Sequence, residues 1–176
     1  MFATDIYGMP TTIRHNKILS KLISQTTNYD DDNLDVFFQD VALVHYGKLK
    51  SSFIELVNIY ELEDEEIIND LDYVQPDFML FDNNKFLLNK RETKIAGFPD
   101  LIIEIWSKGN TAFERKQKKL LYSSGKNTEH WYISQDSNIV ECYLDEKRIK
   151  DKDLTQILIT TKGLQFDLRG IALHEV

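Results

Sequence analysis

Cysteine, proline and glycine are all scarce in this chain. Its one cysteine, Cys142, excludes an internal disulfide, and the alternating sequence around it predicts a buried thiol in a strand. A chain without disulfides fits a reducing, cytoplasmic location. Only three prolines and seven glycines occur among 176 residues, and no proline- or glycine-rich stretch marks a linker. Length and composition therefore predict a single domain over residues 1–176.

Long apolar runs and excess positive charge are also missing. The longest apolar run, residues 101–106, contains a carboxylate and is far too short to span a membrane, so we expect no membrane partner. The first residues lack the basic start and apolar stretch of a signal peptide. The net charge of −8 disfavours a protein that coats nucleic acid through charge alone, but permits a local basic patch within residues 115–126. The acidic run 61–72 lacks the spacing of an EF-hand loop and is interpreted as a solvated segment.

Apolar periodicity predicts the main elements. Residues 12–27 form a predicted helix, because Ile13, Ile18, Leu19, Leu22 and Ile23 recur at helical spacing after a Pro–Thr start. Alternating or continuous apolar segments predict strands within residues 36–47, 51–60, 73–81, 101–106, 130–134, 139–144 and 155–168. The last of these segments divides into two short strands at Lys162-Gly163, and 139–144 is the expected hairpin partner of 130–134.

A second helix is predicted from about residue 111 to 124. Its expected apolar stripe is Phe113, Leu120 and Leu121, with Ser107 or Asn110 as the cap and a closing glycine after it. This helix joins two strands, so residues 99–134 predict a parallel strand pair with a right-handed crossover. The fold class is therefore α/β, with a mixed β-sheet flanked by helices.

Glu104 is the residue that first indicates a site. It lies among isoleucines in a strand expected to be buried, where a carboxylate is costly unless it is paired, hydrogen-bonded or bound to a metal. Strand alternation places Asp100, Ile102 and Glu104 on one face. Asp77 stands at the start of an earlier strand, and two carboxylates from neighbouring strands, with a carbonyl and waters, suit an octahedral Mg²⁺.

Four segments together resemble a known family. They are PDFMLF at 76–81, GFPDLIIEIWS at 97–107, a helix with Lys118 and Tyr122 four residues apart, and EHWYIS at 129–134. This pattern resembles the Uma-type restriction endonucleases of the PD-(D/E)XK nuclease superfamily. It covers about a third of the chain, in a core of about residues 73–135, and the early helix with His15 resembles the family's first helix more weakly.

The resemblance implies a restriction-endonuclease-like fold and a Mg²⁺-dependent endonuclease, with Mn²⁺ as a possible substitute, that hydrolyses DNA through a metal-activated water. It implies Asp77 and Glu104 as metal ligands and Lys118 as the catalytic lysine, with Asp100, Tyr122 and His15 as supporting residues. A homodimer follows from the superfamily, which often uses two sites to cut both strands. The superfamily's usual lysine position, two residues after the glutamate, holds Trp106 here. The first helix offers no acidic residue as a further ligand.

Each of these assignments has a structural alternative. Glu104 can pair with an internal cation, Asp77 can serve a turn after proline, and Lys118 can form a surface ion pair with Glu114, four residues earlier. His15 can be a helix residue with a structural hydrogen bond. At the level of function, the alternative is an inactive nuclease-fold protein that binds nucleic acid or another protein, since fold alone does not establish turnover.

Overall fold

A computed structural model describes residues 12–27, 29, 34–39, 41–44, 73–82, 86–88 and 94–173. The predicted strand at 51–60 and the acidic run 61–72 lie outside these residues. The first helix, α1, spans Ile13–Thr27. Its cap is Thr12, whose hydroxyl accepts a hydrogen bond from the His15 amide at 3.2 Å. The buried face of α1 consists of His15, Ile18, Leu19, Leu22 and Thr26, whereas Ile13 is 76% exposed and does not join the predicted stripe.

The central sheet contains most of the strands. Its members are β1 (Leu34–Phe38), β4 (Phe78–Asp82), β7 (Leu101–Ile105), β8 (Glu129–Ile133), β9 (Ile139–Leu144), β10 (Lys147–Arg148) and β11 (Lys152–Asp153). The order is β1-β4-β7-β8-β9-β10, with β11 also on β9. β4 is antiparallel to β7, β7 is parallel to β8, and β8 is antiparallel to β9. The predicted parallel pair and hairpin are both confirmed.

Two smaller sheets complete the described fold. One has the order β3-β2-β6-β5, from β2 (Ala42–Val44), β3 (Tyr73–Val74), β5 (Phe86–Leu88) and β6 (Lys94–Gly97). The other pairs β12 (Leu158–Ile159) with β13 (Gln165–Phe166), on either side of the predicted turn at Gly163, whose φ of 88° suits glycine. A 3₁₀ turn follows at Arg169–Ile171. The predicted segment 36–47 contains two strands, β1 and β2, which belong to different sheets.

The central sheet buries apolar side chains on both faces, as the continuous apolar sequence of β7 predicts. One face packs with α1 and includes Ile18, Phe78, Ile103, Trp131 and the buried Cys142. The opposite face packs with the second helix, α2 (Ala112–Ser123), and includes Met79, Phe81, Ile102, Tyr122 and Tyr132. Each large side chain so buried stabilises the fold by roughly 1.5–3 kcal/mol. We call the face of the central sheet that packs with α2 the α2 face.

Helix α2 differs from its prediction in both cap and orientation. Its cap is Thr111, whose hydroxyl accepts from the Glu114 amide at 3.1 Å while the Glu114 carboxylate accepts from the Thr111 amide at 3.1 Å. Two residues of the predicted stripe are exposed, Phe113 by 71% and Leu120 by 58%. The buried residues of the helix are Lys118, Leu121 and Tyr122. The predicted stripe was therefore wrong for two of its three members.

No helix in the described part of the chain is both long and apolar enough to cross a bilayer.

Candidate active site

Asp77 and Glu104 lie on the same face of the central sheet. β4 and β7 pair Phe78 with Ile103 and Met79 with Ile102, so the next step of the register places Asp77 opposite Glu104. The backbone supports this position, because the Ile105 amide donates a hydrogen bond to Asp77 Oδ2 at 2.8 Å. The two residues therefore lie opposite each other on one face of the sheet.

Glu104 is held by two residues of α2. Its side chain is 2% exposed, and Lys118 Nζ lies 3.0 Å from Oε1 and 3.1 Å from Oε2. The Tyr122 hydroxyl donates to Glu104 Oε1 at 2.6 Å. Lys118 and Tyr122 are one helical turn apart, so both reach the same strand residue. The alternative of a surface ion pair between Lys118 and Glu114 is wrong, because Lys118 is buried and Glu114 belongs to the cap.

The electrostatics of the two carboxylates differ. Burial is the largest influence on the pKa of Glu104 and raises it. The Lys118 charge and the hydrogen bonds from Tyr122 and Lys118 lower this pKa, but burial outweighs them and the pKa is about 8. Burial is also the largest influence on the pKa of Asp77, but His15, the Lys118 charge and the Ile105 amide outweigh it, and that pKa is lowered. Burial therefore disfavours the ionised form of Glu104, whereas the partners of Asp77 favour its ionised form.

His15 connects α1 to this site. Its Nε2 lies 3.2 Å from Asp77 Oδ1, and the ring is placed one turn after the Thr12 cap. His15 Nδ1 is buried and has no hydrogen-bond partner in the described structure. The structure therefore brings His15, Asp77, Glu104, Lys118 and Tyr122 together.

Asp100 stands apart from this cluster. It lies in a bend before β7, at the opposite end of the strand from Glu104. Asp100 Oδ2 accepts from the Asp82 amide at 2.7 Å, and Oδ1 forms an ion pair with Lys162. The alternation that relates Ile102 to Glu104 does not bring Asp100 to the site, because Asp100 lies at the opposite end of β7 from Glu104. These contacts instead fix the entry of the chain into β7.

The donor set suits a hard cation in part. Among the described residues, no group of three or more histidine, cysteine, aspartate or glutamate side chains could hold a metal ion. Mg²⁺, however, is commonly held by one or two carboxylates, with waters and substrate phosphates as its other ligands. Asp77 and Glu104 therefore fit Mg²⁺, provided that Lys118 shares Glu104 with the ion.

A row of side chains extends from this site across the α2 face. β7 and β8 pair Glu104 with Tyr132, and β8 and β9 pair Tyr132 with Glu141. Lys119, next to Lys118 in α2, forms an ion pair with Glu141 at 2.6 Å. Sequence reasoning missed this second glutamate–lysine pair. Its only sequence sign is the alternation that puts Glu141 on the same strand face as Tyr143, and this requires the strand order to interpret.

Trp106 occupies the position where the superfamily has its lysine. It is buried, as predicted, and its ring stacks on Tyr132 with centroids 5.3 Å apart and planes at 13°. Lys118 Nζ lies 5.9 Å from the Trp106 centroid. His130 contacts Tyr132, with its Nδ1 2.6 Å from the Tyr132 hydroxyl. Burial lowers the pKa of His130 to about 4. The helix thus supplies the ammonium that the strand does not.

The mixed sheet, with a buried carboxylate–lysine pair under a crossover helix, defines an α/β protein of the restriction-endonuclease-like fold class. A solved structure from Anabaena variabilis, described as a putative nuclease belonging to DUF820, has this fold, with a TM-score of 0.64 over 94% of this chain and 84% of that chain, at 16% identity. The Uma2 family model, described as "Putative restriction endonuclease", matches residues 3–173. The chain belongs to the Uma2 family, which confirms the resemblance and the fold class. No curated protein is significantly similar to it.

Proposed function

We propose that this chain is a metal-dependent endonuclease that hydrolyses phosphodiester bonds in DNA. The observation that supports the proposal most is the buried Glu104–Lys118 pair. Glu104 lies on the α2 face, opposite Asp77 in the register of β4 and β7. A buried ion pair is weak evidence for a stabilising role, because desolvation offsets its Coulomb energy. A catalytic role gives a reason for its presence in the core of the chain.

The proposed roles follow from the contacts. Asp77 and Glu104 would hold Mg²⁺ or Mn²⁺, which when bound supplies positive charge to the phosphate and lowers the pKa of a water. Lys118 would place its ammonium beside the same phosphate, where it stabilises the extra negative charge of the transition state. Tyr122 orients Glu104 through its 2.6 Å hydrogen bond. His15 orients Asp77 from α1.

A second candidate is a nuclease-fold protein that binds nucleic acid without cleaving it. Two observations favour it. The described residues provide no third acidic ligand. Each oxygen of the two carboxylates already has a hydrogen-bond or ion-pair partner. An ion would have to compete with or share these partners.

Cleavage of plasmid and linear duplex DNA with Mg²⁺ or Mn²⁺ tests the proposal. We expect cleavage by the wild-type chain and a loss of about 10²-fold or more in Asp77→Asn, Glu104→Gln and Lys118→Met. Glu141→Gln is the matched control, because it removes the other glutamate that pairs with a lysine of α2. Wild-type cleavage that survives Glu104→Gln would overturn the proposed site. DNA binding without cleavage under both metals would establish the second candidate.

We also propose a homodimer, because nucleases of this superfamily often use two sites to cut both strands of a duplex. Sedimentation velocity of the wild-type chain, alone and with duplex DNA, tests this assembly.

A further inference from the structure

A cleft of about 320 Å³ opens on the α2 face beside the proposed site. Trp106 and Tyr132 form part of its floor, and Ser134 and Ser137 of the β8–β9 turn form one end. The cleft lies at the carboxyl ends of the parallel strands β7 and β8, as Glu104 does. Arg14 of α1 holds the same turn through hydrogen bonds to the Gln135 and Ser137 carbonyls. The cleft and the proposed site therefore share one end of the sheet.

Three cations and three carboxylates line the cleft: Arg115, Lys119, Arg148, Asp136, Glu141 and Asp151. Lys119 is paired with Glu141, and Arg148 donates to both oxygens of Asp151 at 3.1 and 3.0 Å. Asp136 interacts electrostatically with Arg14, which is not among the lining residues. Four of the six charges thus cancel within the cleft, and Asp136 has a cation behind it.

Arg115 is the lining cation without a carboxylate partner among the residues that the structure describes. One of its terminal nitrogens donates to the Ser107 carbonyl at 3.0 Å, and its Nε is buried without a hydrogen-bond partner. Its guanidinium carbon lies 5.5 Å from the Trp106 centroid. A guanidinium has five donors. Among the described residues, the Ser107 carbonyl is the one hydrogen-bond acceptor of Arg115, so its other terminal donors are available to a ligand in the cleft.

We infer that Arg115 binds a phosphate of the DNA strand next to the phosphate that is cut. The inference rests on the proposed function and adds to it the contact that places the strand. The Arg115 guanidinium and Lys118 Nζ both lie near the Trp106 ring, at 5.5 and 5.9 Å from its centroid, and they are one turn apart in α2. A phosphate offers two oxygens in the geometry that a guanidinium fork binds. A strand whose cut phosphate lies beside Lys118 would therefore bring its next phosphate toward Arg115, one helical turn away.

The charges favour a phosphate over a nucleobase at this position. The aromatic floor is nearly covered, since Trp106 is 4% and Tyr132 is 2% exposed, so little ring surface remains for a base to stack on. An anionic acceptor makes the strongest hydrogen bonds to the terminal donors of Arg115 that the Ser107 carbonyl leaves available. The paired Lys119 and Arg148 add little net attraction.

The salt dependence of DNA binding tests the inference. The probe is a fluorescent duplex oligonucleotide, titrated with protein at several NaCl concentrations, once in EDTA and once in Ca²⁺. Loss of one phosphate contact makes the slope of log K against log [salt] shallower by about 0.9. We expect this change in Arg115→Gln, together with weaker binding to every sequence. Arg115→Lys keeps a charge and is expected to keep the slope while binding less tightly.

Arg148→Gln is the matched control, because Arg148 lines the same cleft but is paired and 54% exposed. It should leave the slope unchanged. An unchanged slope in Arg115→Gln, an equal change in Arg148→Gln, or no wild-type binding in either buffer would overturn the inference. Thermal unfolding of each variant confirms that it is folded. Binding is read without turnover, so a chain that fails to cleave would refute the nuclease proposal and leave the Arg115 result standing.

Discussion

Two glutamate–lysine pairs connect the central sheet to α2, and they differ in one property above all. Glu104–Lys118 is buried, with side chains 2% and 7% exposed, whereas Glu141–Lys119 is open to water, with side chains 36% and 29% exposed. Both pairs are short, at 3.0 and 2.6 Å, and both glutamates lie on the row that crosses β7, β8 and β9 through Tyr132. Contact distance therefore does not separate them, and burial does.

Burial changes what each pair can do. In water, an ion pair contributes about 0–1 kcal/mol, since solvent screens it and its side chains lose freedom. In the core, removal of one partner leaves an uncompensated charge and costs roughly 3–5 kcal/mol. A protein that needed only to attach α2 to its sheet would be served equally well by apolar residues. The buried pair is therefore the one for which a functional explanation is required.

The largest effect is expected from Lys118→Ala. It leaves Glu104 buried without its cation and should lower the free energy of unfolding by about 3–5 kcal/mol. Urea unfolding measures this, with Lys119→Ala as the control, for which we expect a change of about 1 kcal/mol or less. Equal losses in the two variants would show that the two pairs do not differ as their burial indicates.

The double variant Lys118→Met, Glu104→Leu sharpens the comparison. It replaces both charges with apolar side chains of similar length, and such replacements are often neutral or stabilising. We expect stability close to that of the wild type, and no DNA cleavage. Recovery of stability without activity separates the functional role of the pair from its structural role. Unfolding of the double variant by as much as Lys118→Ala would assign the pair to stability instead.

A further effect is expected in the pH dependence of stability, to which the buried Glu104 contributes. The metal-free native chain holds the Glu104 proton more tightly than the unfolded chain does, because burial raises the pKa of Glu104 from 4.5 to about 8. This group therefore contributes stability that is present below about pH 4.5 and is lost as pH rises through about 8. Urea unfolding at several pH values should show this loss in the wild type and its absence in Glu104→Gln. Parallel curves for the two chains would contradict it.

The smallest effect is expected from Glu141→Gln. The pair it breaks is exposed, so the free energy of unfolding should change by about 0–1 kcal/mol and the change should shrink in high salt. Thermal unfolding at low and high NaCl provides the measurement. A loss as large as that of Lys118→Ala would place Glu141–Lys119 in the core energetically and remove the contrast between the pairs.

Sequence alone could predict the part of the site that strands determine. The continuous apolar run of β7 identifies a strand buried on both faces, and period-two alternation then sets the face on which Glu104 lies. The same alternation applies to Asp77 before β4, so the meeting of the two carboxylates follows once β4 and β7 are neighbours. The crossover between β7 and β8 follows from the helix between two strands.

The orientation of α2 could not be predicted in this way. Its apolar residues Phe113 and Leu120 are exposed, while Lys118 is 6% exposed. A helical wheel ranks the faces of a helix by hydrophobicity. The face of α2 that packs on the sheet is instead the one whose lysine and tyrosine contact Glu104. That demand comes from a residue on another element, so the local sequence does not contain it. The resemblance to the family supplied Lys118 where periodicity could not.

Asp100 shows the opposite case, in which a local rule is extended too far. Alternation sets the face of a residue but not its position along the strand, and Asp100 lies at the far end of β7 from Glu104, where its carboxylate contacts the Asp82 amide and Lys162. Apolar pattern alone also did not show that the two strands of the segment 36–47 belong to different sheets. Gln39, with a positive φ of 55°, lies between β1 and β2.

Calorimetric titration of Mg²⁺ and Mn²⁺ into the wild type, Glu104→Gln and Glu141→Gln tests the central claim most directly. The account predicts binding by the wild type and by Glu141→Gln, and its loss in Glu104→Gln, because only the buried glutamate shares a face and register position with Asp77. Two results would contradict the account. One is that the wild type binds neither metal, with or without duplex DNA. The other is that metal binding survives in Glu104→Gln and disappears in Glu141→Gln.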